Sequence, residues 1–253
     1  RIACEILEKV SKNFTNLILP HIFGEGALPR YNNVTATFIE AIIAGQRPDI
    51  NPDGQVSLLH AGDAAQCAIN AATERVTDIL RPVARDIKVA DLFSKIENFH
   101  FNYQNNFYPD LSDSFNVKLF NSYRVALYPD IFPISLKLNT DARGTLFEVI
   151  KGGGGGQTFL STTCPGVTRG NHFHLNKVER FLVVQGEAII RIRKVFSDEV
   201  WEYRVSGDTP APVDMPTLHT HSIENVGDDE LLTLFWTHDL FLPENPDTFA
   251  EKV

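Results

Sequence analysis

The stretch that decides the fold of the second half is residues 166–186, which read GVTRGNHFHLNKVERFLVVQG. Residues 181–184 form an apolar run with the length of a buried strand. His172 and His174 are two residues apart, so on a strand both imidazoles leave the same face. Glu179 follows five residues later, within reach across the next turn or strand. The stretch therefore predicts a β scaffold that carries two imidazoles and a carboxylate close together.

The pattern around this stretch predicts two halves of different architecture. From about Pro133 onward the apolar residues recur with a period of two, as in 188–192, and short runs such as 231–236 lie between turn residues. Many short strands separated by Gly, Pro and Asp indicate an all-β sandwich or barrel. Before this point strand-like and helical stretches alternate, which indicates α/β packing. We therefore expect two domains, residues 1–130 and 131–253.

Local patterns in the first half give more detailed expectations. Residues 34–44 have apolar side chains at a helical period, and the Ala-rich residues 63–72 predict a second helix with Asp63 as its possible N-cap. Residues 101–120 are rich in Asn and aromatic side chains and predict a helix-poor connection. The glycine run within 151–156 has no helix pattern after it, so it predicts a hairpin loop rather than a phosphate loop.

Composition excludes several classes of partner. The 253 residues contain 23 Lys and Arg against 32 Asp and Glu, a net charge of −9. Nucleic acid and anionic lipid both demand a basic surface, so neither is expected as the main partner. No apolar run is long enough to span a membrane. The three cysteines are scattered and odd in number, which suits a reducing cytosol, and we expect a cytoplasmic protein.

A second group of histidines completes a candidate metal site. His219 and His221 follow Pro216 in the β half. Imidazoles and one carboxylate that face inward from a rigid β scaffold suit a borderline divalent metal such as zinc and leave a coordination position open. Taken singly, each histidine is as well explained by a surface or hydrogen-bonded core position. The pattern alone leaves open which of His219 and His221 joins His172, His174 and Glu179 as a ligand.

The complete spacing matches that of the cupin motifs. Gly166, His172, His174, Glu179 and Gly186 stand at every position of the first motif. The second motif has Pro216, His221 and Asn225 in place, with Leu218 where a glycine is expected. The chain thus resembles metal-binding cupins. The resemblance implies a jelly-roll barrel and a metal site formed by His172, His174, Glu179 and His221. The departure at Leu218 concerns the geometry of a turn.

A more specific resemblance covers nearly the whole β half. Residues 139–148 look like the entry to cupins that epimerise nucleotide-linked 4-keto sugars, and residues 168–184 resemble the C-terminal cupin of bifunctional capsule-precursor enzymes of the CapF/WbjC type. In the first half, residues 19–24, 31–38 and 60–65 resemble extended short-chain dehydrogenases that act on nucleotide sugars. The implied fold is the substrate-binding part of a Rossmann-type reductase followed by a cupin.

The resemblance implies a two-step function for the complete family member. Its cupin epimerises carbon 3 of a UDP-linked 2-acetamido-4-keto-6-deoxyhexose, and its reductase then reduces carbon 4 with NADPH towards UDP-N-acetyl-L-fucosamine. The glycine-rich nucleotide motif and the Tyr-x-x-x-Lys pair of the reductase are absent from this sequence. We therefore expect an N-terminally truncated chain without NADP binding or hydride transfer. A homodimer is the family expectation.

Roles for single residues follow from the same resemblance. The metal would polarise the ketone, or it would be structural with His172 as the base; Lys177 and His219 are further candidates for proton transfer. Arg143 and Arg169 are candidates for the diphosphate, since Arg matches phosphate bidentately. Candidates for contacts with the uridine or sugar are Asn33, His21 and Arg47.

Two other functional classes are compatible with the pattern. One is a metal-stabilised module that binds sugar nucleotides or dimerises without chemistry of its own. The other is a cupin dioxygenase, which would need redox-active iron. Proton exchange at the substrate separates the epimerase from the first class, and oxygen uptake identifies the second.

Overall fold

A computed structural model of the chain describes residues 2–10, 14–136, 139–141, 144–146, 150–152, 156–239, 242 and 244–253. The chain divides into two compact units, Arg1–Asn98 and Phe99–Val253. The domain boundary predicted after residue 130 falls inside the second unit. Within the described ranges, no helix combines the length and the apolar character that crossing a membrane requires.

The first unit is a mixed α/β arrangement, in agreement with the predicted alternation. The elements are α1 (Ile2–Val10), β1 (Asn16–Leu17), β2 (His21–Phe23), α2 (Val34–Ile43), β3 (Gln55–His60), α3 (Ala61–Thr73), β4 (Ile79–Leu80), β5 (Arg85–Lys88) and α4 (Val89–Gln104), the last of which contains the boundary between the units. Strand β2 pairs in parallel with β3, β3 pairs antiparallel with β5, and β1 pairs in parallel with β4.

The two helices predicted in this unit are present, but the N-cap of the second is not the one expected. Helix α2 buries Phe38, Ala41 and Ile42. Helix α3 is capped by His60, whose Nδ1 accepts a hydrogen bond from the backbone N–H of Gly62 at 3.2 Å. The prediction of Asp63 as N-cap is therefore wrong. Its carboxylate instead lies in the first turn, where the helix dipole favours negative charge.

The second unit is dominated by two antiparallel sheets, which confirms the predicted all-β character of the second half. The elements are β6 (Phe107–Tyr108), α5 (Ser114–Leu127), β7 (Asn139–Asp141), β8 (Gly144–Leu146), β9 (Lys151–Gly152), β10 (Gln157–Thr163), β11 (Thr168–Phe173), β12 (Glu179–Gln185), β13 (Glu187–Lys194), β14 (Val200–Ser206), β15 (Val213–Met215), β16 (His219–Asn225), β17 (Leu231–Thr237) and β18 (Phe249–Ala250). One sheet has the strand order β10-β17-β12-β15 and the other β14-β13-β16-β11-β18.

Successive strands from β10 to β18 alternate between the two sheets, apart from the β13–β14 hairpin. This alternation is the cupin-like, jelly-roll arrangement, in which both sheets turn one face towards a shared core. On β13 the inward positions Ala188, Ile190 and Ile192 are each at most 1% exposed. They pack in one cluster with Phe181, Phe235 and their neighbours.

Residues 101–120 are more helical than predicted. Helix α4 continues to Gln104, and α5 begins at Ser114. The reason is tertiary packing of aromatic rings: Phe99 and Tyr103 on α4 lie edge-to-face against Phe120 on α5, with centroids 5.3 and 5.6 Å apart. Burying these rings outweighs the weak helix propensity of Asn and aromatic residues.

A buried ion pair joins two strands of the four-stranded sheet. Arg180 on β12 faces Asp214 on β15, and both side chains are fully buried. Arg180 Nε donates to Asp214 Oδ1 at 2.6 Å, and the hydroxyls of Tyr103 and Tyr108 donate to Asp214 Oδ2. Because successive residues on a strand point to opposite faces, Arg180 leaves β12 on the side opposite Glu179.

Candidate metal centre

The candidate site is built on β11 and β16, which pair antiparallel with His172 directly opposite His221. The register shifts between Gly170 and His172, which marks a β-bulge. Gly170 adopts φ +96°, and a Cβ added there would lie 2.7 Å from the carbonyl oxygen of His221. The glycine therefore lets β11 approach the backbone of the strand that carries the facing histidine.

The turn before β16 keeps the left-handed conformation although it lacks the glycine of the cupin pattern. Leu218 has φ +59°, a region that a β-carbon disfavours. Its backbone N–H donates to the carbonyl oxygen of His174 at 2.9 Å. The departure at Leu218 thus leaves the turn intact, and β16 delivers His221 to the site.

The structure brings together all four residues predicted as metal ligands. One ligand atom from each of His172, His174, Glu179 and His221 lies within 4.8 Å of the others. Glu179 Oε2 is 3.1 Å from His174 Nε2 and 3.4 Å from His221 Nε2. His174, Glu179 and His221 are buried, whereas His172 is half-buried.

The charges in this cluster follow from burial and from the neighbouring rings. Burial, reinforced by the rings of His221 and His174, lowers the pKa of His172 to about 4. Burial opposes ionisation of Glu179, but hydrogen bonds and attraction from His174 and His221, when these rings carry a proton at Nε2, outweigh burial and hold the pKa of Glu179 below the ordinary range. The carboxylate is thus an anion among imidazoles.

The hydrogen bonds at the outer ring nitrogens show that this donor set fits a cation. His174 Nδ1 lies 2.6 Å from the carbonyl oxygen of Asp247, and His221 Nδ1 lies 3.3 Å from that of His219. A carbonyl only accepts, so both Nδ1 atoms donate, and in the neutral rings both Nε2 lone pairs point towards Glu179. His221 Nε2 is fully buried and has no hydrogen-bond partner. Lone pairs that converge on a carboxylate require a proton or a metal cation between them, and three imidazoles with one carboxylate suit zinc.

Other residues predicted for this site have different surroundings. Lys177 Nζ donates to the carbonyl oxygen of Pro246 at 2.9 Å. His219 is buried, its Nδ1 lies 2.8 Å from the carbonyl oxygen of Thr217, and burial lowers its pKa to about 4. Arg169 donates from Nε to Thr163 Oγ1 and from Nη2 to the Thr162 carbonyl oxygen, each at 3.0 Å. Lys177, His219 and Arg169 are thus each held by hydrogen bonds to other parts of the protein, while Arg143 lies outside the described residues.

The substrate-binding candidates of the first unit also make local contacts. Asn33 is the N-cap of α2, accepting from Ala36 N–H at 2.9 Å and donating to the Ile22 carbonyl oxygen at 3.1 Å. His21 Nε2 accepts from Val34 N–H at 3.3 Å. Arg47 lies over the Phe93 ring, 5.7 Å from its centroid, and both residues line an open cavity of about 480 Å³.

One residue of the site, Asp247, carries no role in the sequence-based prediction. Its carbonyl oxygen contacts the outer nitrogen of His174, and its carboxylate accepts from backbone N–H groups of residues 175–177. These contacts join segments about 70 residues apart, so local patterns in the chain carry no signal for them.

Comparison with known proteins agrees with this fold. Residues 139–249 match the family described as the polysaccharide biosynthesis C-terminal domain. The crystal structure of the capsular polysaccharide assembling protein CapF from Staphylococcus aureus is 32% identical, with a TM-score of 0.53; the match covers 100% of this chain and 71% of that one. The chain belongs to the CapF family.

Two further proteins are similar to this chain over most of its length. A crystal structure of CapF with the inhibitor 3-isopropenyl-tropolone is also 32% identical, with a TM-score of 0.53, over 100% of this chain and 75% of that one. The UDP-2-acetamido-2,6-beta-L-arabino-hexul-4-ose reductase of Pseudomonas aeruginosa strain PA103 is 29% identical over 239 residues. The CapF-family chain described here is covered to 93% by that match and spans 64% of the length of that relative.

Proposed function

We propose that this chain epimerises carbon 3 of a UDP-linked 2-acetamido-4-keto-6-deoxyhexose during the synthesis of capsule or O-antigen precursors. The observation that carries the proposal is the cluster of three imidazoles and one carboxylate, with ligand atoms within 4.8 Å of one another, on the paired sheets of a CapF-family chain. The name of the Pseudomonas relative supports the substrate class, since it describes a UDP-linked 4-ketohexose.

The chemistry asked of the site is removal and return of a proton. A ketone at carbon 4 acidifies the proton on carbon 3, so the reaction needs a base and stabilisation of the charge that develops on oxygen. Zinc held by His172, His174, Glu179 and His221 would supply Lewis acidity for that charge. Those residues are fixed by strands β11, β12 and β16 and by the loop between β11 and β12, so their donor atoms converge without rearrangement.

His172 has a special position among the four because it is the least buried. A nitrogen that holds a metal cannot also take a proton, so its roles as ligand and as base compete. The variant His172→Ala separates the two roles. Loss of both bound metal and proton exchange supports His172 as a ligand, while loss of proton exchange with the metal retained supports His172 as the base.

The remaining parts of the proposal concern the complete protein. We place residues 1–130 in the C-terminal part of an NADPH-dependent reductase of the extended short-chain dehydrogenase type, and residues 131–253 in the cupin. The complete protein would reduce carbon 4 after epimerisation, towards UDP-N-acetyl-L-fucosamine, and would act as a cytoplasmic homodimer. The Gly-rich and Tyr-x-x-x-Lys motifs of such a reductase are absent from the sequence, so the reductase half is proposed to be inactive in this chain.

Proton NMR of the UDP-linked 4-keto sugar in heavy water tests the epimerase directly. We expect deuterium to appear at carbon 3 with the wild-type chain, and the exchange to stop with a chelator and in Glu179→Gln. The matched control is Glu187→Gln, the same change in an exposed ion pair with Arg204. Substrate that binds without exchange in the wild-type chain would contradict the epimerase and favour a sugar-nucleotide-binding or dimerisation module.

A further inference from the structure

The carboxy-terminal segment Pro246–Glu251 runs beside the candidate metal centre and contacts the chain on both sides of it. Asp247 supplies the densest set of contacts. Its Oδ1 accepts from the N–H of Leu175 at 3.1 Å, and its Oδ2 accepts from the N–H groups of Asn176 and Lys177 at 2.9 and 2.8 Å. One carboxylate therefore closes the loop that joins His174 to Glu179.

The same residue also reaches the first of these ligands directly. The Asp247 carbonyl oxygen accepts from His174 Nδ1 at 2.6 Å. A ring that donates from Nδ1 has its lone pair at Nε2, and this atom faces Glu179 at 3.1 Å. Asp247 therefore determines which nitrogen of His174 is free to bind a cation.

The rest of the segment is attached to the two strands of the site. Strand β18 pairs with β11, with Ala250 opposite His172. The backbone N–H of Glu251 donates to the Asn171 carbonyl oxygen at 3.0 Å, and its carbonyl oxygen accepts from Thr220 Oγ1 at 2.6 Å. The segment thus touches the residues next to His172 and next to His221, in addition to the loop between His174 and Glu179.

We propose that Asp247 is a positioning residue for the metal centre, and this inference rests on the metal site in the proposed function. Its carbonyl selects the Nδ1–H tautomer of His174, and its carboxylate holds the loop that sets the distance between His174 and Glu179. Asp247 has φ +43°, a left-handed conformation that Asp tolerates better than most residues. This conformation points carbonyl and carboxylate at neighbouring parts of the same loop.

The test compares zinc binding in Asp247→Asn with that in the wild-type chain. The amide keeps the size of the side chain but places an N–H₂ group or a single oxygen where two oxygens accept three backbone N–H groups. We expect the dissociation constant for zinc, measured by competition with a chromophoric chelator, to rise about 10- to 100-fold, the usual effect of losing an outer-shell partner. We also expect the visible absorption of the cobalt-loaded protein to change because the ligand geometry changes. The matched control is Glu244→Gln, the corresponding acid-to-amide change at an exposed position two residues before the segment, for which we expect wild-type values.

A measurement on the unmodified protein keeps the inference independent of how the variant folds. Nitrogen-15 NMR of histidine-labelled, zinc-loaded wild-type chain should show His174 protonated at Nδ1 and metal-bound at Nε2. The opposite tautomer would overturn the inference, as would zinc affinity within twofold of wild type in a folded Asp247→Asn. A wild-type chain that binds no zinc would overturn the metal site itself. If the wild-type chain and the variant bind zinc equally tightly, the metal site stands and only the role of Asp247 is overturned.

Discussion

Replacing Gly170 by alanine tests whether close approach of β11 to β16 builds the site. A β-carbon at Gly170 would lie 2.7 Å from the His221 carbonyl oxygen and 3.0 Å from the Ser222 Cα, both backbone atoms that move only with their strand. The φ of +96° adds a conformational penalty of about 1–2 kcal/mol for a residue with a β-carbon. Overpacking against fixed neighbours costs about 1–3 kcal/mol. We therefore expect Gly170→Ala to lower the free energy of unfolding by about 2–5 kcal/mol.

Gly166 provides the matched control because it has φ +72° but nothing within 4 Å of an added β-carbon. Gly166→Ala should bear only the conformational penalty, about 1–2 kcal/mol. Equilibrium unfolding in urea can be followed by the fluorescence of the two tryptophans, Trp201 and Trp236, which both lie in the second unit. We also expect weaker zinc binding in Gly170→Ala than in Gly166→Ala, since β16 carries His221. Equal stability and equal zinc affinity in the two variants would refute this account.

Three further predictions concern other parts of the molecule. Burial lowers the pKa of His238 below its ordinary 6.5, so the unfolded chain takes up this proton at higher pH and stability falls as the pH drops below about 6.5. His238→Asn, which keeps an acceptor, should therefore lose less unfolding free energy than wild type between about pH 7.5 and pH 5.5 in urea titrations; equal losses would argue against a contribution from this ring. Leu218→Gly should be more stable than Leu218→Ala by up to about 1.5 kcal/mol in the same assay, because alanine keeps the left-handed strain of about 1–2 kcal/mol while glycine adds about 0.4–1 kcal/mol of unfolded-chain freedom; the reverse order would contradict strain at this turn. Asp214→Asn should cost about 3–5 kcal/mol by leaving Arg180 buried without its anion, whereas Glu187→Gln in an exposed pair should cost less than about 1 kcal/mol. Similar losses of unfolding free energy in these two variants would show that burial does not determine how much an ion pair contributes to stability.

The sequence predicts elements well where one physical signal acts alone. The period of two in residues 188–193, where Ala188, Ile190 and Ile192 alternate with Ile189 and two arginines, indicates β13 and its buried face, because a strand with one buried face has this period. Residues 101–120 were misread because Asn and aromatic residues have low helix propensity, and only their ring contacts with distant aromatics explain why helices form there. The N-cap of α3 was misplaced because His60 can accept a hydrogen bond as Asp63 can, and the pattern favours the more common capping residue.

Part of the candidate site could be predicted from the local sequence, whereas the rest depends on contacts between distant parts of the chain. The spacing of His172, His174 and Glu179 indicated that they share a face or a turn, and the resemblance to cupins added His221 to the set. The left-handed turn at Leu218 could not be predicted from the sequence, because leucine departs from the cupin pattern. The hydrogen bonds of its backbone join distant parts of the chain, at His174 and Val195. The contacts of Asp247 were equally hidden, because they depend on where the end of the chain crosses the sheet.

The placement of the four residues in the chain has a consequence for the order in which the centre assembles. His172, His174 and Glu179 come from consecutive elements, but His221 arrives on β16, after β13, β14 and β15 have been made. A nascent chain can therefore present three donors early and gains the fourth only when β16 pairs with β11, a contact between distant parts of the chain that forms slowly. In the proposed site, zinc would thus bind tightly only after β11 and β16 have paired. The rate of tight zinc binding during refolding would therefore report the rate at which these two strands pair.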